Sequence, residues 1–324
     1  MRASGASSPS PFSLERYRAN RSHISTKKLA VCCLFLLAWV SAVGAQTTVA
    51  HPLAARGRKA LVRDAVFHSS SLERDMHYRV LLPQHYESGG RFPVLYLLHG
   101  LYGDYLNWDT RTNLENYARD LRLLIVMPDA DNSWYSDSAT VPQDKFEDYI
   151  AKDLISEVDE KYRTIRARHG RAIAGLSMGG YGAAKLALKY PELFAFAGCL
   201  SGAFNAAQNL DTLRPEFAAK LREVFGNEGS RERTENDVFL LLNTPHQTSY
   251  PYFYLGCGTA DFFLETNRAL VIQLSSRKIA YEYHETPGGH TWEYWDRAVQ
   301  PMLQVIECTV GRPPPRQREV KTKQ

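Results

Sequence analysis

Five short runs in this chain are apolar along their whole length: FPVLYLL (92–98), LLIVM (123–127), AIAGL (172–176), FAFAGCL (194–200) and YFYL (252–255). A strand with one face in water alternates apolar and polar residues. An unbroken run belongs to a strand buried on both faces. Segments of helical periodicity separate these runs, at 107–120, 146–162, 179–190 and 262–277, and a last helix is expected over 290–310. Strands alternating with helices imply βαβ units. The expected architecture is therefore α/β, a mostly parallel central sheet with helices on both faces. HYRVLL (77–82) reads as a leading strand after a loose start and could add an antiparallel edge. AYEYH (280–284) reads as the last strand.

Two segments break the alternation. Residues 129–144 are polar and turn-rich, and residues 204–245 hold helical patches at 214–225 and 236–242. Neither is large enough for a second core, so one domain over 46–310 is expected, with 204–245 as an insertion between strands. Apolar residues make up 44% of the chain, which suffices for one sizeable core.

The N-terminus has a different character. Lys27 and Lys28 precede an apolar run at 29–40, and Val43 and Ala45 are small residues beyond it. Basic flank, short apolar stretch and small residues predict a secretory signal peptide over 1–45, cut after Ala45. The run is short for a membrane span of about 20 residues, so cleavage is expected over its rival, retention as an uncleaved anchor, and no stable span is expected after cleavage. The protein is expected to be exported, to the periplasm or beyond. Residues 1–28 carry +5 of the chain's net +4, and the Pro/Arg/Lys tail 311–324, expected to be disordered, carries a further +4. The body is thus near −5, which argues against nucleic acid as a partner. Cys32 and Cys33 would leave with the signal. Cys199, Cys257 and Cys308 sit in apolar settings and are expected to be buried thiols, a disulfide between two of them being the alternative in an exported protein. No Cys/His spacing suggests a metal site, and no cofactor is expected.

The chemistry concentrates at Gly175-Leu176-Ser177-Met178-Gly179. Between a strand and a helix, G-x-S-x-G makes a sharp turn that exposes the serine hydroxyl. Side chains at 175 or 179 would collide with neighbouring backbone, and the serine backbone is expected to be strained. A serine hydroxyl needs a base in hydrogen-bond reach, and the base needs an acid to orient it. Asp261 follows the 252–255 strand and His290 follows the 280–284 strand. Both therefore fall at the sheet edge where Ser177 lies, the edge at which open α/β sheets bind ligands. His284 lies within an alternating strand and His246 in the insertion. Glu265 falls inside a helix and Asp237 near a helix start, where capping explains it. An oxyanion hole requires two N–H donors. Met178 follows the serine, and the loop His99-Gly100-Leu101 after the 92–98 strand offers Leu101. His99 is expected to hold that loop rather than act as a second base. Tyr102, Trp134 and Tyr135 are candidates for an aromatic wall against substrate.

PVLYLLHGLYGDYLNW, GLSMGGYGAAKLALKYPELF, GTADFF and GGHTWEYW together resemble the esterase D family of α/β-hydrolases, over roughly 77–305. That family includes S-formylglutathione hydrolases, tributyrin-type esterases, feruloyl esterases and antigen 85 mycolyltransferases. The resemblance implies the α/β-hydrolase fold, Ser177, Asp261 and His290 as the triad, and Leu101 and Met178 as oxyanion donors. The expected activity is that of a serine carboxylic-ester hydrolase acting through an acyl-enzyme, without metal or cofactor. Short-chain acyl esters and carbohydrate or aryl esters, including polysaccharide esters, are the expected substrates. The alternatives are acyl transfer to a sugar or glycerol, a peptidase, and an inactive hydrolase-like binding protein.

Overall fold

A computed structural model describes residues 61–311, apart from 209 and 244–248. The expected signal segment 1–45, the tail from 312 onward and His246 lie outside the described residues. Eight strands form one sheet: β1 (Leu61–Ser69), β2 (Arg74–Leu82), β3 (Val94–Leu98), β4 (Leu124–Pro128), β5 (Arg171–Leu176), β6 (Phe196–Leu200), β7 (Tyr252–Gly258) and β8 (Tyr281–Thr286). Their spatial order is β1-β2-β4-β3-β5-β6-β7-β8. β2 pairs antiparallel with β1 and β4, and every later pairing is parallel. Every residue of β3, β4, β5 and β6 is buried, as their unbroken apolar runs require. β1 carries no such run. Its side chains are mostly exposed, and pairing with β2 rather than burial makes it a strand, so the sequence pattern did not disclose it.

The strand order reverses at β3, with β4 on one side and β5 on the other. Loops leaving β3 and β5 diverge at such a point and open a crevice at the carboxyl ends of the strands. Leu98, the last residue of β3, pairs with Gly175 near the end of β5. The loop holding Gly100 is thereby set beside the turn holding Ser177.

Helices cover both faces. In chain order they are α1 (Asn107–Arg111), α2 (Leu114–Ala118), α3 (Phe146–Asp148), α4 (Ile155–Lys161), α5 (Met178–Lys189), α6 (Pro215–Phe225), α7 (Arg231–Glu235), α8 (Val238–Leu241), α9 (Leu264–Ser276) and α10 (Trp292–Thr309). One core layer joins Leu95, Leu97, Ala172 and Ala174 to Trp108 of α1 and Val299, Met302 and Ile306 of α10. The other joins Val94, Tyr96, Ile173 and Ala197 to Ile150, Val158, Leu186 and Leu270. Each such aliphatic side chain contributes roughly 1.5–3 kcal/mol of burial. The helix expected over 107–120 is broken into α1 and α2, with the chain extended at Thr112. The one expected over 146–162 contains a π-helical stretch at Tyr149–Leu154 between α3 and α4. Among the described residues, no helix is long and apolar enough to cross a membrane.

The two interrupting segments pack on each other over α5. Ala139 N–H donates to the Val224 carbonyl at 3.0 Å, and Tyr181 Oη donates to the Asn236 carbonyl at 2.6 Å. One expectation about the thiols is corrected. Cys199 and Cys257 are buried, but Cys308 is exposed, because Ile306 takes the inward face of α10 and Cys308 falls on the outer one. Burial pushes the Cys257 thiol up to about 12, and Cys199 higher still. Iodoacetamide applied to the folded protein should therefore alkylate Cys308 and spare Cys199 and Cys257, as read by peptide mass spectrometry. Equal protection of all three would contradict this arrangement.

Candidate active site

Ser177 sits between β5 and α5 with φ 53° and ψ −115°, a conformation costly to any residue with a side chain. The surroundings leave it no alternative. A Cβ on Gly175 would lie 2.5 Å from the Gly179 carbonyl carbon, and one on Gly179 would lie 2.6 Å from the Leu98 and His99 carbonyl oxygens. Ser177 N–H donates to the Leu200 carbonyl at 2.9 Å, while its own carbonyl accepts from Tyr181 and Ala203. The side chain thus projects at the start of α5, where the helix dipole favours negative charge.

His290 and Asp261 meet Ser177 at this point. Nδ1 of His290 lies 3.0 Å from Asp261 Oδ2 and 3.2 Å from Oδ1. Because a carboxylate only accepts, Nδ1 carries the proton. Nε2 is left to accept from Ser177 Oγ, 2.9 Å away. Phe262, Phe263 and Trp295 enclose the imidazole, their ring centroids 4.4, 5.3 and 4.8 Å from its own. Burial alone would raise the Asp261 carboxyl. Hydrogen bonds from His290 and the Phe263 N–H outweigh it and hold the group below its ordinary value. Asp261 also caps the turn into α9 through that Phe263 N–H, at 2.8 Å. The rival groups lie elsewhere. His284 contacts Glu282 at 2.6 Å, Glu265 pairs with Arg268 on the surface, and Asp237 caps α8.

The loop after β3 is held from behind. His99 is buried. Its Nε2 accepts the Ala130 N–H at 3.1 Å, so Nδ1–H donates to the Gly100 carbonyl at 2.8 Å. Burial lowers the imidazole's pKa and keeps it neutral. Gly103 N–H reaches the same carbonyl at 3.0 Å. In a trans peptide the Leu101 N–H points opposite to that carbonyl, away from His99. A Cβ on Gly100 would lie 3.7 Å from Ser177 Cβ, which places this loop against the serine. Met178 is the first residue of α5, where N–H groups have no partner within the helix.

A cavity of about 970 Å³ opens over Ser177 and His290. Gly100, Leu101, Tyr102 and Trp134 line it. Tyr102 is 76% exposed, with its N–H pinned to Asn132 Oδ1 at 2.7 Å. Trp134 is mostly buried against Tyr181 and Phe225. Tyr135 is not a substrate contact. It is fully buried and fills the space that Gly182 leaves, and its hydroxyl donates to the His99 carbonyl at 2.8 Å. It braces the Gly100 loop from beneath. The far wall comes from Leu213, Phe217 and Leu221, in and just before α6. The sequence pattern marks that segment only as an insertion, although α6 carries an apolar face with Ala218, Leu221 and Phe225 buried. Among the described residues, no cluster of three His, Cys, Asp or Glu side chains could hold a metal ion.

Comparison with known proteins places the chain among esterases. The family model described as "Putative esterase" matches residues 69–306. An acetyl esterase of Caldicellulosiruptor saccharolyticus is 30% identical over 213 residues, which cover 64% of this chain and 80% of that protein. The diacylglycerol acyltransferase/mycolyltransferase Ag85B of Mycobacterium leprae is 27% identical over 274 residues, 72% of this chain and 82% of that one. Among solved structures, the substrate-bound fluorophosphonate-binding serine hydrolase FphF of Staphylococcus aureus superposes with a TM-score of 0.70 at 28% identity, covering 77% of this chain and 99% of its own. The chain belongs to this esterase family and is a serine ester hydrolase of the α/β-hydrolase fold.

Proposed function

We propose that Ser177 is the nucleophile, His290 the general base and Asp261 the orienting acid of this esterase. The observation that carries the reading is the unbroken line of hydrogen bonds from Ser177 Oγ through His290 to Asp261. Ser177 Oγ attacks the ester carbonyl as His290 Nε2 takes its proton. Asp261, ionised and in contact with Nδ1–H, stabilises the imidazolium that forms. The Met178 and Leu101 N–H groups face the developing oxyanion, and the start of α5 adds its dipole. Collapse of the tetrahedral species breaks the C–O bond, and the alcohol leaves with the proton from His290. Water, deprotonated by the same nitrogen, then cleaves the acyl-enzyme.

The acyl group is proposed to be short, and the alcohol an aryl or carbohydrate moiety. The 30% identity to an acetyl esterase supports the first part. A cavity of about 970 Å³ with Tyr102 exposed at its lip supports the second, because it far exceeds an acetyl group. Two measurements test the reading. A fluorophosphonate probe should label the protein at Ser177, as mapped by mass spectrometry. Rates on p-nitrophenyl esters of two to sixteen carbons should fall as the chain lengthens. A label on another residue removes the mechanism, and a rate that climbs toward sixteen carbons removes the short-acyl assignment. The likeness to a mycolyltransferase favours a second reading, acyl transfer to a sugar or glycerol. Partition of the acyl group between water and added glycerol separates the two.

A further inference from the structure

The two segments that interrupt the α/β alternation enclose a second cavity, of about 560 Å³. Tyr102 and Gly103 line both this cavity and the one over Ser177, so the two adjoin at Tyr102. Beyond Tyr102 the lining is polar: Asp131, Asn132, Ser133, Asp144 and Glu223. The walls are fixed. Asp131, Trp134 and Tyr135 have φ of 48°, 56° and 54°, and the buried Lys185 ammonium holds this strained loop through the Tyr135 carbonyl and Ser136 Oγ, both at 2.7 Å. The end of α6 is tied to the same loop, as Ser138 Oγ donates to the Glu223 carbonyl at 2.8 Å. Several groups in the cavity lack partners. Asp131 pairs with Arg74 at 2.7 Å, but the Asp144 and Glu223 carboxylates have neither hydrogen bond nor ion pair among the described residues. Ser133 is only 8% exposed. Its Oγ accepts the Tyr135 N–H at 3.1 Å, and its own proton meets no acceptor among the described residues, although a buried hydroxyl needs one. Tyr102 itself has φ 62°, rare for a bulky residue, and its N–H is pinned to Asn132 Oδ1. The strain holds an aromatic side chain out in water between the two cavities.

We propose that this second cavity is a subsite for a neutral oligosaccharide: the alcohol half of the ester is a sugar chain that crosses Tyr102 and sets its further units among Asn132, Ser133, Asp144 and Glu223. The inference deepens the proposed function and rests on it. Tyr102 follows Leu101, the proposed oxyanion donor, so an ester held at Ser177 lies next to the passage between the cavities. An apolar acyl chain would strip water from the carboxylates and return nothing, so the acyl half does not belong there. Sugar hydroxyls donate to carboxylates and accept from Ser133 and from the Asn132 amide, whose oxygen is already engaged by Tyr102. The Tyr102 ring offers a flat apolar face to the C–H side of a sugar. Three carboxylates against one arginine repel an anionic chain, which excludes uronic acids. Because loop and wall are set beforehand, little ordering is lost on binding.

Kinetics on O-acetylated sugars, run beside Ser177→Ala, test it. Acetyl esters of neutral xylose, mannose and glucose are compared with those of their own oligomers. In at least one series kcat/KM should rise about tenfold from the single sugar to the trimer, mainly through KM, as hydrogen bonds to the carboxylates are added. Acetylated galacturonate oligomers should show no such rise. The double variant Asp144→Ala, Glu223→Ala removes the two free carboxylates. Asp144 bonds Val141 and Ser138 through its backbone, and Glu223 bonds Ser138 and Thr140 through its carbonyl, so the melting temperature should hold. The ratio of kcat/KM on the trimer ester to that on p-nitrophenyl acetate should fall about tenfold in this variant, the worth of one charge-assisted hydrogen bond. A merely structural role would lower both substrates together and leave the ratio in place. No rise with length in any neutral series, or an unmoved ratio in the double variant, overturns this proposal alone when Ser177→Ala is inactive. A rise confined to cationic glucosamine oligomers overturns it too, because the cavity would then select charge. Activity in Ser177→Ala overturns the proposed roles and this inference with them.

Discussion

Ser177→Ala should reduce kcat on p-nitrophenyl acetate by about 10⁴- to 10⁶-fold while leaving the fold intact. The large factor follows from the geometry. In the proposed mechanism the hydroxyl forms the covalent bond, and His290 Nε2, 2.9 Å away, has no other acidic proton of the protein to take there. The fold should survive because Ser177 is held by its backbone. Its N–H bonds Leu200 and its carbonyl bonds Tyr181 and Ala203, none of which involves the side chain. Alanine meets the same φ of 53° as serine, so the strain is unchanged. Residual turnover would come from water attacking an ester still polarised by the proposed oxyanion donors, Leu101 and Met178. The measurement is kcat beside a thermal melt. A variant with normal melting and even one-tenth of wild-type activity would show that another group attacks the ester.

Much of this arrangement was legible before any coordinates, and the reason is local. Strands buried on both faces must be apolar throughout, so five of the eight were visible as runs. The strand ends then placed Ser177, Asp261 and His290 on one edge. Gly100, Gly175 and Gly179 were informative because a Cβ there meets backbone within 3 Å or a neighbouring side chain. What stayed hidden depends on distant segments meeting. Nothing near Ser201 in the chain indicates that an indole 94 residues away will bond it. Leu213, Phe217 and Leu221 look like any amphipathic patch until α6 is seen to wall the cavity. Tyr135 shows the converse. An aromatic in a polar loop beside Trp134 suits a substrate wall, and only the gap at Gly182 reveals that it turns inward. Exposure misled in the same way at Cys308, where the local sequence VIECTV is apolar but the residue lies on the outer side of its helix.

The largest effect on stability is expected from Glu147→Ala, far from the reacting atoms. Lys185 of α5 is wholly buried, and its ammonium meets four acceptors: the Tyr135 carbonyl, Ser136 Oγ and Glu147 Oε2, each at 2.7 Å, and Asn236 Oδ1 at 3.0 Å. Glu147 also accepts from Lys189 at 2.5 Å and from Tyr190 Oη at 2.9 Å. This cluster ties α5, α3, the loop carrying Trp134 and Tyr135, and the insertion before α8 into one unit. The two partners gain unequally. Lys185 is lowered to about 8 because burial outweighs its attraction to Glu147, whereas Glu147 is lowered to about 2 because two ammonium groups outweigh its burial. Forming the pair therefore contributes little net, but removing Glu147 leaves a buried cation without its carboxylate, at about 3–5 kcal/mol. For a domain of this size that is a fall in melting temperature of roughly 10 °C. The pH dependence has a definite sign. In the wild type, Glu147 titrates lower in the folded state than its ordinary 4.5, so its contribution is full above that value and is lost as pH falls toward 2. In the variant that acid-side loss disappears. Lys185 is pushed below 8 instead, so stability should climb as pH rises from about 6 to 9 and the ammonium discharges. Melting curves at pH 5, 7 and 9 read both effects. A variant that melts within a degree or two of wild type at pH 7, with no gain at pH 9, would mean that Tyr135, Ser136 and Asn236 alone satisfy the Lys185 charge. Because Tyr135 supports the His99 carbonyl behind the Gly100 loop, the same substitution should also lower kcat, and recovery of activity at pH 9 alongside stability would trace that loss to this cluster.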